Sequence, residues 1–193
     1  MPSSFCLPGF QTMFRRFFRD LFRGSSAPRF DALFEGRDED LVLDLVGRIE
    51  GPEWQPKDLQ SLPAPVAHIV RLCRFDGIFG NGGLQYWFEC DSDLYGRRTS
   101  IALRSVGLTD AANALDQAYD TFPTPYHYDN WDLRMEALKN LAVDFEPLEK
   151  RLWQAHPEVM GKAAAYARGH KSDFEYLRRT RPWCQARNAF GVA

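Results

Sequence analysis

The sequence predicts an all-α fold, with one compact multi-helix domain preceded by an additional amphipathic helix. Apolar residues recur at spacings of three and four through most of the 193-residue chain, as they do along one face of an α-helix. No run of alternating apolar and polar residues indicates a β-strand. Hydrophobic residues make up 45% and charged residues 26% of the chain, which excludes a largely disordered protein.

The first predicted helix, residues 10–22, carries apolar side chains on one side and arginines on the other. Gly24 ends this helix and a short linker follows, so residues 1–28 are expected to form a segment of their own. The pattern is compatible with a helix docked on the domain or on a second subunit, with an anchor at a membrane surface, and with a targeting segment. The apolar side consists of Phe10, Phe14, Phe17, Phe18, Leu21 and Phe22.

Residues 29–176 are predicted to form the all-helical domain, with glycine and proline separating the helices. A helix opened by three acids runs over 38–49, and a helix that is apolar around most of its circumference runs from about 63 to 77 and is expected to be central and buried. Further helices are expected over 99–106, 111–119, 131–143, 145–155, 158–168 and 172–179. No segment reaches the ~18–20 apolar residues of a membrane-spanning helix. Four cysteines without a CxxC pair indicate reduced thiols and a cytoplasmic location.

Charge is distributed unevenly, although 24 basic and 26 acidic residues give a net charge of only −2. Residues 1–30 carry +4, residues 31–150 carry −11 and residues 151–193 carry +5. This asymmetry predicts either that different surfaces meet different partners or that the basic ends fold back on the acidic body. The candidate acidic interaction face consists of Asp38, Glu39, Asp40, Asp44, Asp110, Asp116 and Asp120.

The last segment, residues 177–193, is predicted to be a basic tail. Its arginines and a tryptophan have the chemistry to hold a single nucleic-acid strand. The net charge of the chain and its acidic body argue against nucleic acid as the main ligand. The residues concerned are Arg178, Arg179, Arg181, Trp183 and Arg187.

The stretch RFDGIFGNGGLQYWFECD, residues 74–91, interrupts the helical pattern with four glycines around Asn81. Glycine and asparagine adopt positive φ at low cost, so the stretch predicts a tight reversal in which backbones pass closely. A phosphate-binding loop is a poor alternative, because the stretch has no Walker-type spacing, no preceding strand and no lysine.

From Asp76 to Phe88 this stretch resembles the signature of the DNA-mimic-protein-like family, a helical domain of unknown function. The resemblance places Asn81, Gly82, Gly83, Gln85, Tyr86 and Phe88 on the family's motif. Leu84 departs from the aromatic residue usual in the family, and the likeness covers about residues 40–176. It implies a compact all-helical domain. For the family's namesake it also implies a non-catalytic role, in which carboxylates spaced like DNA phosphates are presented to a DNA-binding protein. Besides the candidate acidic interaction face, the acidic candidates for such a role are Glu50, Glu53, Asp129, Asp132 and Glu136.

No catalytic motif and no metal or cofactor site is evident in the sequence. We therefore expect a non-enzymatic interaction module whose partner is another, basic protein; a homo-oligomer stays open. One alternative is a peripheral membrane or scaffold-docked protein anchored by residues 10–22. The other is an enzyme with a pocket near the glycine-rich stretch, formed by Asn81, Gln85, His127 and Asp129. Cys73 and Cys90 flank that stretch and are expected to be inert.

Overall fold

The computed structural model describes residues 30–50, 56–90, 95–124, 126, 130–141 and 143–179. These residues form eight α-helices and three short 3₁₀ helices and contain no strand, so the all-α prediction is confirmed. The predicted helix 10–22 and the tail residues Arg181, Trp183 and Arg187 lie outside the described residues.

The described helices follow one another with short connections. The α-helices are α1 Phe30–Leu33, α2 Asp38–Ile49, α3 Ala64–Cys90, α4 Gly96–Ser105, α5 Thr109–Asp120, α6 Trp131–Asn140, α7 Glu146–Ala155 and α8 Val159–Gly169. The 3₁₀ helices are Pro56–Gln60, His156–Glu158 and Lys171–Arg179. Helix α6 ends before the predicted residue 143, because Leu141 adopts an extended backbone with φ −69° and ψ 115°.

Helix α3 lies at the centre of the fold, as the sequence predicted. It packs against α2, α4, α6 and α8, while α5 packs between α4 and α7. Val66, Ile69, Val70 and Leu72 are fully buried, because α3 presents apolar side chains around most of its circumference. Each such side chain contributes about 1.5–3 kcal/mol of gross hydrophobic free energy.

The segments that flank the central helices bind one another. Asp31 in α1 accepts hydrogen bonds from Lys171 at 2.8 Å and from Arg178 at 2.5 Å. These two cations, Arg178 foremost, hold the pKa of the Asp31 carboxyl well below its usual range. Arg168 donates to the carbonyl oxygens of Phe34 and Gly36, both at 2.9 Å. The described part of the basic carboxyl-terminal region therefore folds back on acidic residues of the domain.

None of the helices in the described ranges combines the length and apolar character needed to cross a membrane.

Candidate interaction surface

The glycine motif lies inside α3, where it produces a kink. The backbone leaves helical geometry only at Gly82 and Gly83, with helix on both sides. Gly83 has φ 63° and ψ −155°, a conformation that is essentially restricted to glycine. The glycine-rich stretch therefore separates two helical stretches by a two-residue kink, where the sequence predicted a tight reversal. Asn81 does not share the positive φ; its side chain donates to the carbonyl oxygen of Gly77 one turn earlier.

Glu149 of α7 fills the space that Gly83 leaves. Its Oε1 accepts a hydrogen bond of 2.7 Å from the backbone N–H of Leu84, the first residue after the break. A Cβ atom on Gly83 would lie 2.5 Å from that oxygen, so a side chain there would collide with the carboxylate. The kink leaves the first backbone N–H groups of the following helical stretch without an intrahelical partner. Glu149 accepts a hydrogen bond from one of them, and Gly83 leaves room for its carboxylate. The group that approaches Gly83 is thus the side chain of Glu149, whereas the sequence predicted a close approach of backbones.

His156 makes a second close approach to the kinked helix. Its Nε2 lies 3.1 Å from the carbonyl oxygen and 3.3 Å from Oδ1 of Asp76. A Cβ atom on Gly80 would lie 2.9 Å from the same nitrogen. Burial raises the pKa of the Asp76 carboxyl, and the neighbouring His156 opposes this increase. The glycines of the motif therefore provide the surface on which the α7–α8 turn packs.

The remaining motif residues divide between the core and the surface. Trp87 donates from Nε1 to the hydroxyl of Tyr119 at 2.9 Å, and Phe88 packs in an aromatic cluster with Tyr119, Phe122, Tyr126 and Phe145. Buried Arg134 of α6 donates to the carbonyl oxygen of Phe88 at 2.7 Å and so caps the end of α3. Tyr86 is half-buried, whereas Asn81, Gly82 and Gln85 are exposed.

Most carboxylates of the predicted acidic face are paired with arginine. Asp44 is 1% exposed, so it is a core residue and does not belong to an accessible acidic face; burial raises the pKa of its carboxyl. Glu39 is exposed and forms no ion pair within the described ranges. The pairs are Asp38 with Arg168, Asp40 with Arg37, Asp44 with Arg48, Asp110 with Arg151, Asp116 with Arg104 and Asp120 with Arg97.

Five carboxylates that have no arginine or lysine partner in the described ranges lie on α6 or next to it in the fold. Asp132 and Glu136 are exposed on α6 itself and, in the described part of the chain, form no ion pair. The carboxylate of Glu89, at the end of α3, accepts a hydrogen bond from the side chain of Gln85 at 3.2 Å, and its backbone carbonyl oxygen accepts one from Arg134 at 3.3 Å. Asp144 and Glu146 follow α6, and Asp144 accepts from the backbone N–H of Glu146 at 2.9 Å. We refer to Glu89, Asp132, Glu136, Asp144 and Glu146 as the α6 acidic surface.

A groove of about 310 Å³ lies within this surface, between the end of α3 and α6. Its size is at the lower end of ligand pockets in proteins. Apolar side chains form most of its lining, with Gln85 and Glu89 on one wall and Lys139 on the other. The apolar lining consists of Met135, Leu138, Leu141, Val143 and Phe145.

The pocket proposed for an enzyme receives limited support from these residues. Gln85 lines the groove, Asn81 does not, and His127 and Asp129 lie outside the described residues. Cys73 is fully buried, and this burial raises the pKa of its thiol to about 12, so it is not a nucleophile at neutral pH. Within the ranges that the structure describes, no group of His, Cys, Asp and Glu side chains has the arrangement of a metal site.

The fold and surface define an all-helical protein with a kinked central helix and a mainly apolar groove beside exposed acidic residues. The chain belongs to the DMP19-like protein family, whose model matches residues 60–170. This match agrees with the resemblance to DNA-mimic proteins found in the sequence. It includes the kink, the groove and α6, and it leaves out α1, α2 and the 3₁₀ helix Lys171–Arg179. Neither the curated proteins nor the solved structures contain a match to the chain.

Proposed function

We propose that this chain is a non-enzymatic protein-binding module that presents carboxylates to a basic, nucleic-acid-binding protein. Membership of the DMP19-like family supports the class of function. The α6 acidic surface is the contact surface in this proposal. The observation that carries it is that Asp132 and Glu136 are exposed and form no ion pair with any residue that the structure describes, whereas six of the seven acids of the sequence-predicted face are bound to arginine.

Pairing determines which carboxylates can imitate a phosphate. DNA offers a partner a dense row of negative charges that accept hydrogen bonds from lysine and arginine. A carboxylate already bound to an arginine has lost most of its net charge and part of its accepting capacity. Asp110, for example, accepts from Arg151 at 2.6 Å and 3.1 Å. The acids of the α6 acidic surface form no ion pair with arginine or lysine in the described ranges and so retain their net charge, which makes them the better mimics.

The experiment is affinity capture from a native lysate with the full chain, followed by elution with short duplex DNA. We expect the captured proteins to be basic DNA-binding proteins that duplex DNA releases, because DNA and the α6 acidic surface compete for the same cationic site. The variant Asp132→Lys/Glu136→Lys should lose these proteins, since like charges then face each other across the interface.

A matched control is available at Glu35 and Glu39. Both are exposed acids without an ion pair in the described ranges, and they lie in the region of α1 and α2, outside the family match. Glu35→Lys/Glu39→Lys therefore changes the net charge equally at a different place. The proposal is wrong if both variants capture the same proteins as the unaltered chain, or if duplex DNA releases none of them.

A further inference from the structure

The groove of the α6 acidic surface matches a segment of this same chain. Residues 10–23 carry an apolar face of phenylalanines, with four arginines against one aspartate on the rest of the segment. We propose that this segment docks in the groove, with phenylalanine rings on the apolar floor and arginines toward the acidic rim. The contact covers the surface that the proposed partner would use, so it is autoinhibitory.

Exposed apolar side chains beside the groove favour the binding of an apolar segment there. The described chain has six large apolar side chains that are well exposed, and three of them, Trp131 at 46%, Leu133 at 41% and Val143 at 38%, belong to α6 or follow it. Trp131 is four and seven residues before Met135 and Leu138, so it lies on the groove side of α6. An apolar groove continued by an exposed tryptophan is typical of a site that receives an amphipathic helix.

Charge complementarity selects the occupant. Glu89 lies on the groove wall, and Asp132 is seven residues before the groove-lining Lys139 and so on the same side of α6. Glu136 adds a carboxylate on the next part of the helix surface. Lys139 is the opposing charge on the lining. Acids therefore outnumber bases around the groove, which fits the arginine-rich segment.

The segment is tethered close to the described domain. Six residues, 24–29, connect it to Phe30, the first residue that the structure describes.

Limited digestion of the full chain with trypsin tests the docking, with one variant in the groove and one in the segment. Cleavage after Arg15, Arg16, Arg19 and Arg23 is followed by mass spectrometry. Docking makes these sites slow to cut, and Val143→Glu in the groove or Phe14→Asp on the segment should each speed their cleavage about tenfold. Ile101→Glu, at a side chain 55% exposed on α4, and Thr12→Asp, on the arginine side, are matched controls and should change nothing. Circular dichroism confirms that each variant is folded.

The outcomes against the proposal are distinct. Equal cleavage of the unaltered chain, Val143→Glu and Phe14→Asp overturns it. Protection that disappears on dilution assigns the segment to the groove of a second copy, and protection that requires anionic lipid vesicles assigns it to a membrane surface; either result overturns docking within the chain. No partner is present in this experiment, so a negative result leaves the proposed function unaffected. A failure of the capture experiment would likewise leave the docking of the segment unaffected.

Discussion

The kink of α3 and the surface of α6 are neighbouring parts of the family-matched region, but they are built in opposite ways. At the kink each close approach has a partner: Glu149 binds the N–H of Leu84, and His156 binds Asp76. At α6, Asp132 and Glu136 face solvent and form no ion pair within the described ranges. The recognisable motif thus determines how helices pack, while the residues suited to binding lie where the sequence carries no motif. Substitutions at the kink should therefore affect stability, and those at α6 should affect binding.

The largest expected effect is that of Gly83→Ala at the kink. Alanine disfavours φ 63° with ψ −155°, and its Cβ would lie 2.5 Å from Glu149 Oε1. We expect a loss of about 3 kcal/mol or more in the free energy of unfolding, from backbone strain and loss of the hydrogen bond to Leu84. Urea denaturation followed by circular dichroism measures it.

Gly107 supplies the control for backbone strain alone. It also has a positive φ, of 84°, but nothing lies within 4 Å of a Cβ at this position. Gly107→Ala should cost only about 1 kcal/mol. Adding Glu149→Ala to Gly83→Ala should cost less than the sum of the two single changes, because it removes the collision. Equal losses for Gly83→Ala and Gly107→Ala would show that the contact with Glu149 contributes nothing.

A smaller effect is expected from Asp76→Asn. Burial raises the folded-state pKa of the Asp76 carboxyl, with His156 opposing. A raised pKa means that the folded state favours the protonated form, so this contribution to stability is present at low pH and is lost as the pH rises through the folded-state value. Asp76→Asn should therefore match the unaltered chain near pH 3–4 and exceed it by about 1 kcal/mol at pH 7. Denaturation curves across this range measure the difference, and a variant that is less stable at pH 7 would contradict the prediction.

The fold was predictable because its signals are local. Apolar spacing and the positions of glycine and proline place the helices and identify α3 as central. The partners of the charged residues were not predictable, because they are far apart in the sequence: Asp38 meets Arg168, 130 residues away, and Leu84 meets Glu149, 65 residues away. The burial of Asp44 was missed because its charge was given more weight than its apolar neighbours, Leu41 to Leu43 before it and Leu45 after it. The groove arises from tertiary packing and was missed for the same reason.

The smallest expected effect on stability is that of Asp132→Ala/Glu136→Ala on α6. Both side chains are exposed and, among the described residues, neither forms an ion pair, so the free energy of unfolding should change by no more than about 0.5 kcal/mol. Alanine is also a good helix former, so α6 itself should persist. If the α6 acidic surface is the contact surface, the same variant should nevertheless bind the captured basic protein more weakly, by about tenfold for the two charges. Urea denaturation and a titration by calorimetry measure the two quantities on one sample. A loss of stability as large as that of Gly83→Ala would show that α6 resembles the kink in being a structural element, and the contrast between the two regions would fail.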